Sequence, residues 1–165
     1  LPVYHSRDLV NWQLLSYALT DPPASGLEAV ESSGGIQAAT IRYHAGVFYV
    51  VTTRIVAGDP VSFVLTAADP KGPWSAPQVI GEAVGIDPSL FFDEDGTAWY
   101  SANWQPPDPK FPGQTEIWLQ QLDLRTMKIV NVYIGTLDGT KPNGVSSSFK
   151  EAMDQVLLLL GPKGG

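Results

Sequence analysis

Apolar and β-branched residues occur in this chain as short runs separated by glycine, proline and acidic turns. Eight of these runs have the length and composition of β-strands. They lie at residues 36–43, 47–53, 61–67, 78–80, 87–92, 97–103, 116–122 and 128–133. Two shorter runs flank a turn within residues 1–19. Because no helix of useful length is predicted before residue 145, the pattern predicts an all-β fold.

The hairpin at residues 85–100 organises the rest of the predicted sheet. Its first strand carries the apolar run 90–92, which suits a pleated and buried surface. Asp95-Gly96 predicts the tight turn, because glycine adopts positive φ without a steric cost. Asp87 stands at the start of the first strand, directly before a proline that restricts the local backbone. The hairpin thus holds one carboxylate at the end of a rigid strand, apart from the acidic turn.

The strand pattern repeats along the chain. The hairpin glycines Gly46 and Gly96 lie 50 positions apart, and two further strands follow each hairpin. Four antiparallel strands at about this period are typical of a propeller blade. We therefore predict a partial β-propeller domain at residues 1–133 and a divergent tail at 134–165. The domain would consist of half a blade at 1–19 and blades at 30–80 and 85–133. About two and a half blades cannot close a ring, so we expect other copies or further sequence to complete it.

Two segments lie outside the predicted strands. Residues 20–35 are rich in proline, serine and glycine and are predicted to be loop. Within the tail, residues 146–160 fit a short helix that begins at Ser148 and stops before Gly161. They fit equally a strand that ends in the apolar run 156–160.

Composition narrows the classes of function. A length of 165 residues with 44% hydrophobic and 16% charged residues indicates a folded domain. The net charge of −7 disfavours a nucleic-acid groove, and the absence of cysteine excludes disulfides and thiolate metal sites. We find no transmembrane run and no signal peptide. Since residue 1 is Leu and starts mid-domain sequence, we expect the N-terminus to be missing, and either an extracellular or a cytoplasmic location fits.

A set of short motifs follows in a characteristic order. They are PVYHSRDLVNW (2–12), GGI (34–36), TIRYH (40–44), GPWS (72–75), GIDPSLF (85–91) and IWLQ (117–120). In this order and spacing they resemble glycoside hydrolase family 43, the β-xylosidase and α-L-arabinofuranosidase branch, over roughly residues 2–133.

That resemblance implies a five-bladed β-propeller with a funnel-shaped active site, which hydrolyses xylosides and arabinosides with inversion. Inversion requires a general acid on the leaving oxygen and a general base on a water. The family adds a third carboxylate that orients the acid and keeps it protonated near neutral pH. Asp87 occupies the family's Ile-Asp-Pro-Ser motif, so the resemblance implies this third role. It implies oligosaccharide or polysaccharide side-chain substrates, without a metal, a cofactor, a nucleic acid or a membrane partner.

The chain also departs from the family pattern. The family's base is an Asp in the first strand of the first blade, which would precede residue 1. Its acid is a Glu in a Glu-Gly-Pro-His motif of the fourth blade, and Glu151 has different surroundings. We therefore expect the parent protein to be a glycosidase and these 165 residues to be inactive alone. The alternative is a non-catalytic carbohydrate-binding or scaffold propeller.

Three residues are expected to contact the sugar. Gln37 stands where the family usually has a tryptophan, so it would hydrogen-bond instead of stacking on the sugar. Ile86 precedes Asp87 in the motif. Trp104 lies at a strand end, where it could line the funnel.

Several conspicuous residues also have plain structural interpretations. Asp87 could cap a strand by bonding nearby amides, and residues 93–95 fit a solvated turn better than a calcium loop. Isolated histidines such as His5 and His44 are more often structural than ligating. Three tryptophans recur at blade positions that predict packing between blades, namely Trp12, Trp74 and Trp118. Met127 replaces a usual turn glycine, which costs some stability if the turn needs positive φ.

Overall fold

The computed structural model describes residues 1–20, 30 and 34–135, with side chains to residue 132. All regular structure in these residues is β-strand. The strands are β1 (Pro2–His5), β2 (Gln13–Tyr17), β3 (Gly35–His44), β4 (Val47–Val56), β5 (Asp59–Ala67), β6 (Gln78–Val79), β7 (Ile86–Phe92), β8 (Ala98–Trp104), β9 (Glu116–Asp123) and β10 (Lys128–Gly135). The eight predicted strands are confirmed, with ends that shift by a few residues. The alternatives for 146–160, and most of the predicted loop 20–35, lie outside the described residues.

The strands form three antiparallel sheets in chain order. Sheet A pairs β1 with β2, sheet B has the order β3-β4-β5-β6, and sheet C has the order β7-β8-β9-β10. Two-residue turns join β3 to β4 and β4 to β5. The predicted turn at Ala45-Gly46 has φ values of 48° and 84°, and Gly96 has φ of 86°. Positive φ at both central residues is the mark of a two-residue hairpin turn that matches strand twist.

Sheet B lies between the other two sheets. One of its faces contributes Val51 and Val64 to a core that includes Leu90, Tyr100 and Leu122 of sheet C. The opposite face contributes its own apolar side chains to a second core with residues of sheet A, namely Val50, Phe63, Leu65, Val3 and Ala18. Neighbouring residues serve different cores because successive side chains in a strand point to opposite faces. The sheets therefore stack as layers.

The tryptophans predicted to pack between blades differ in their surroundings. Trp74 packs against the core between sheets A and B, and its indole N–H donates to the Ser16 hydroxyl at 3.1 Å. That expectation is confirmed as packing between sheets. Trp12 is 56% exposed, and its indole N–H donates to the Leu9 carbonyl at 3.2 Å. This bond closes the loop that carries Trp12, and the packing of Trp12 between blades stays a prediction. Trp118 is half-buried in β9, and its role stays a prediction.

A chain of buried hydroxyl groups ties sheet B to sheet C. The hydroxyls of Thr53 and Ser62 lie 2.8 Å apart, and that of Ser62 lies 2.8 Å from the phenolic oxygen of Tyr100. All three side chains are buried. Buried polar groups need partners, and here each group supplies one for the next.

The segment that connects sheets B and C is fixed by backbone and amide bonds. The side chain of Gln120 accepts from the Val84 amide at 2.9 Å and donates to the Val84 carbonyl at 2.8 Å. The Gly81 amide donates to the Met127 carbonyl at 2.8 Å, just before β10 begins. The Gly81 carbonyl accepts from the Ile129 amide at 3.0 Å. The fully buried Gln120 thus acts as a strand partner for a segment outside the sheet.

The turn before β10 has the geometry that favours glycine. Met127 has φ of 52°, so the substitution of the usual glycine places a side chain in the left-handed region. Asp123 holds the turn together by accepting from the Thr126 hydroxyl at 2.9 Å and from the Arg125 amide at 2.8 Å. These bonds lower the pKa of Asp123.

We predict that Tyr100 makes the protein unstable in alkali. Burial raises the pKa of Tyr100 from 10.0 to about 12, so the unfolded chain loses this proton first as the pH rises. Stability from this group is fully present below pH 10 and is lost between pH 10 and 12. The full loss is roughly 2–3 kcal/mol. Urea unfolding at pH 9 and pH 12 should show this loss in the wild-type protein, and Tyr100→Phe should lose less by that amount. Equal losses in both proteins would contradict the prediction.

Candidate functional site

The first strands of sheets B and C lie side by side. Thr40 donates from its hydroxyl to the Pro88 carbonyl at 3.1 Å, and Arg42 donates from Nη2 to the Ser89 hydroxyl at 2.9 Å. Further along, the ring of His44 stacks on Phe92 with centroids 4.3 Å apart. The paired residues are 47 or 48 positions apart throughout, so β3 and β7 run in the same direction. Each is the edge strand of its sheet, and together they form a junction between the sheets.

Both edge strands carry a bulge at the same end. Pairing of β3 with β4 skips from Gln37 to Thr40, and pairing of β7 with β8 skips from Ile86 to Ser89. The first bulged residue has positive φ in each strand, 47° at Ala38 and 55° at Asp87. Left-handed backbone is strained for residues other than glycine and concentrates at functional sites. Asp87, the carboxylate singled out by the sequence, lies in one of these bulges, so this end of the junction is the candidate site.

The carboxylate of Asp87 is exposed, and among residues 1–20, 30 and 34–135 no group donates a hydrogen bond or pairs a charge with it. Asp59 and Asp108 share this exposed state, but most other described aspartates are bonded. Five of them accept a bond from a nearby backbone amide, namely Asp8, Asp69, Asp93, Asp95 and Asp123. The geometry therefore does not support the capping interpretation of Asp87. Within the described part of the chain, nothing occupies its oxygens.

The backbone before Asp87 has no freedom to move. Gly85 has φ of 101°, and a Cβ placed there would lie 2.7 Å from the Cβ of Ala102 and 2.9 Å from the Asn103 carbonyl oxygen. After the bulge, Leu90 is buried in the core between sheets B and C. Asp87 is thus held between two packed positions.

The structure places the three expected sugar contacts around these bulges. Ile86 is half-buried and pairs with Asn103, which precedes Trp104 at the end of β8. Trp104 is 37% exposed. Gln37 lies at the β3 bulge, where its carbonyl accepts from the hydroxyl of the buried Thr52 at 2.7 Å. Ile86, Asp87 and Trp104 therefore share one end of sheet C, and Gln37 lies on the adjoining strand of sheet B.

The remaining candidates lie away from this end. The acidic turn 93–95 closes the opposite end of β7, and Asp93 within it is only 4% exposed, so it is not solvated as expected. Glu94 and Asp95 are exposed. His44 has the structural role predicted for it. His5 borders a hollow of about 380 Å³ beside the loop 6–12. Within that loop, hydrogen bonds from Asn11, from the Val10 amide and from the Ser6 hydroxyl lower the pKa of Asp8. Among the described residues no cluster of three His, Cys, Asp or Glu side chains could hold a metal.

Sequence reasoning missed the left-handed backbone at Ala38 and the polar junction of Thr40 and Arg42 with β7. Nothing in the residue type of Ala38 indicates positive φ. The period-two placement of Thr40, Arg42 and His44 is a signal, because side chains two apart share a face of a strand. The described residues form no helix, and therefore none that could span a membrane.

Comparison with known proteins places this geometry in a family. The sequence pattern of glycosyl hydrolases family 43 matches residues 1–152. The chain belongs to this family. The match includes all three sheets and extends into the segment 134–165.

Family 43 relatives share substantial sequence with the chain. A xylosidase/arabinosidase of Butyrivibrio fibrisolvens is 44% identical over 136 residues, which cover 79% of this chain and 25% of that protein. A non-reducing end α-L-arabinofuranosidase of Bacteroides ovatus is 47% identical over 96 residues, which cover 56% and 18% of the two chains. The chain thus spans about a quarter or less of the length of these curated relatives.

Solved family 43 structures share the fold. The crystal structure of a xylan β-1,4-xylosidase from Bacillus halodurans matches with a TM-score of 0.69 and 34% sequence identity. The match covers 82% of this chain and 28% of that one. The all-β layers described above are therefore an arrangement that the family uses.

We predict that Gly85→Ala destabilises the protein by about 3 kcal/mol, because it adds both left-handed strain and a clash with Ala102. Gly96→Ala is the matched control. Gly96 has a similar φ of 86° but open space around it, so its cost is about 1 kcal/mol from strain alone. Urea unfolding measures both. Equal costs for the two variants would show that the backbone before Asp87 is not tightly packed.

Proposed function

We propose that this chain is part of a glycoside hydrolase that acts on xylosides or arabinosides at the ends or side chains of plant polysaccharides. The names of the relatives, xylosidase/arabinosidase and α-L-arabinofuranosidase, support this substrate class. The observation that carries the proposal within the chain is Asp87, an exposed carboxylate on a strained bulge that has no partner among the described residues. Such a carboxylate is suited to orient a neighbouring general acid.

We further propose that the sheets are blades of a five-bladed propeller, with blades at residues 30–80 and 85–133 and half a blade at 1–19. Sheets B and C are four-stranded meanders stacked face to face, which supports this arrangement. Sheet A would supply the third and fourth strands of the preceding blade. The edge strands β3 and β7 would line the central channel, so the bulged end of their junction would face the substrate.

The proposed mechanism is hydrolysis with inversion. A general acid protonates the leaving oxygen while a general base activates a water on the opposite face of the sugar. Asp87 would be neither group. As a negative charge beside the acid, it would orient the acid and raise its pKa, so that the acid still holds its proton near neutral pH. Gln37, Ile86 and Trp104 would contact the sugar, and no metal or cofactor takes part.

We predict that Asp87→Asn lowers kcat/KM roughly 100-fold, within the range that a general acid contributes. Loss of the negative charge also lowers the pKa of the acid, so the alkaline limb of the pH–rate profile should shift to lower pH. Both effects are measured with aryl β-xyloside and aryl α-L-arabinofuranoside substrates. The assays use the full-length protein encoded by the gene that contains these residues.

Asp95→Asn is the matched control for this test. Asp95 is exposed at the opposite end of sheet C, and an asparagine can still accept the bond from the Thr97 amide. It should leave both kcat/KM and the pH profile unchanged. Wild-type kinetics in Asp87→Asn would contradict the assigned role. Sugar binding without any hydrolysis in the wild-type protein would favour the non-catalytic carbohydrate-binding alternative.

We predict that the 165 residues alone do not hydrolyse either aryl glycoside above the buffer rate. Asp87 would have no general acid to orient, and no general base would activate the water. The hydrolysis assay is run at high protein concentration and compared with the same chain carrying Asp87→Asn. Turnover that the substitution abolishes would refute this prediction.

A further inference from the structure

The two bulges are built alike but are stabilised from different directions. In β3, the hydroxyl of Thr52 lies opposite the bulge and donates to the Gln37 carbonyl at 2.7 Å, from within the same sheet. The corresponding position opposite the β7 bulge is Ala102, which has no hydroxyl. Sheet C therefore offers no equivalent side-chain donor at this point.

Sheet B supplies a donor to a different carbonyl, within the β7 bulge itself. The Thr40 hydroxyl donates to the carbonyl of Pro88 at 3.1 Å, directly after Asp87. Thr40 is itself the residue that closes the β3 bulge. Pro88 is fully buried and has no amide hydrogen, so its carbonyl is the one backbone group of this residue that can form a hydrogen bond.

We propose that Thr40 is a positioning residue for Asp87, because its hydroxyl fixes the β7 bulge from the neighbouring sheet. This inference rests on the proposed role of Asp87. The bulge has three points of support: the close contact of Gly85 before it, the burial of Leu90 after it, and the bond from Thr40 in its middle. The first two hold the strand in the fold. The third holds the Pro88–Ser89 peptide, which directly follows the residue with strained φ, and so limits how the bulge that carries the Asp87 side chain can turn.

Because the packed positions hold the fold and the Thr40 bond holds the bulge, loss of this bond should affect activity more than stability. Loss of the Thr40 hydroxyl leaves both packed anchors intact, so the fold persists while the bulge gains freedom. Small errors in the position of a reacting group cost large factors in rate. The effect should therefore fall on kcat more than on KM or on the melting temperature.

The test compares Thr40→Val, which keeps the branched shape and removes the hydroxyl, with Thr40→Ser, which keeps the hydroxyl. The protein and substrates are those used for Asp87→Asn. We expect Thr40→Val to lower kcat about tenfold, the rate equivalent of one hydrogen bond, with KM within about twofold. Thr40→Ser should stay within about twofold of the wild type in both parameters. Thr40→Ala replaces the valine variant if the latter does not fold, and failure of both to fold would overturn the inference.

A double-variant cycle shows whether Thr40 acts through Asp87. If it does, Thr40→Val has no further effect on kcat once Asp87→Asn is present. A loss of kcat in the double variant that equals the product of the two single losses would overturn the inference. Tyr100→Phe is the control for a lost hydroxyl bond between the same sheets at a remote point, and it should leave kcat unchanged. An equal loss of kcat in Tyr100→Phe would also overturn the inference.

The outcomes distinguish this inference from the proposed function. A large loss in Asp87→Asn together with unchanged kinetics in Thr40→Val overturns the positioning role alone. Unchanged kinetics in Asp87→Asn overturn the role of Asp87 and the positioning role with it.

Discussion

The arrangement of the molecule depends on the junction between the edge strands β3 and β7. Edge strands expose unpaired backbone groups, and two bulged edges cannot form a regular ladder with each other. Side chains hold the junction instead. Thr40, Arg42 and His44 stand two positions apart, so they share one face of β3, and each contacts a residue of β7. A polar face at this point brings sheets B and C together without closing the end where the bulges lie.

Apolar burial and polar bonds have different roles between the sheets. The cores on the two faces of sheet B supply most of the attraction, and this attraction changes little if one sheet slides over another. Hydrogen bonds between buried groups do depend on position, because an unpaired buried hydroxyl or amide is costly. The contact of Ser62 with Tyr100 and the bonds of Gln120 to Val84 therefore select one register of sheet C against sheet B.

Sequence reasoning identified the strands because strand formation is local. Alternating apolar runs and turn dipeptides such as Asp95-Gly96 carry their structure in a few neighbouring residues. The family motifs likewise picked out Asp87. What escaped prediction depends on distant contacts. The burial of Asp93 and the left-handed backbone at Ala38 belong to the fold that packs around them, and residue type alone does not encode that.

The comparison of the two bulges separates strain from chemistry. Ala38 and Asp87 occupy the same place in successive sheets and have nearly the same φ. Alanine has no group that could bond a substrate or move a proton, so the strained backbone belongs to the repeating architecture and is not itself a mark of catalysis. Aspartate tolerates the left-handed region better than alanine does. The two bulges therefore differ in their side chains, and the proposed role of Asp87 depends on the carboxylate that one of them carries. The polar Gln37 next to the other bulge adds hydrogen-bonding capacity there without adding charge.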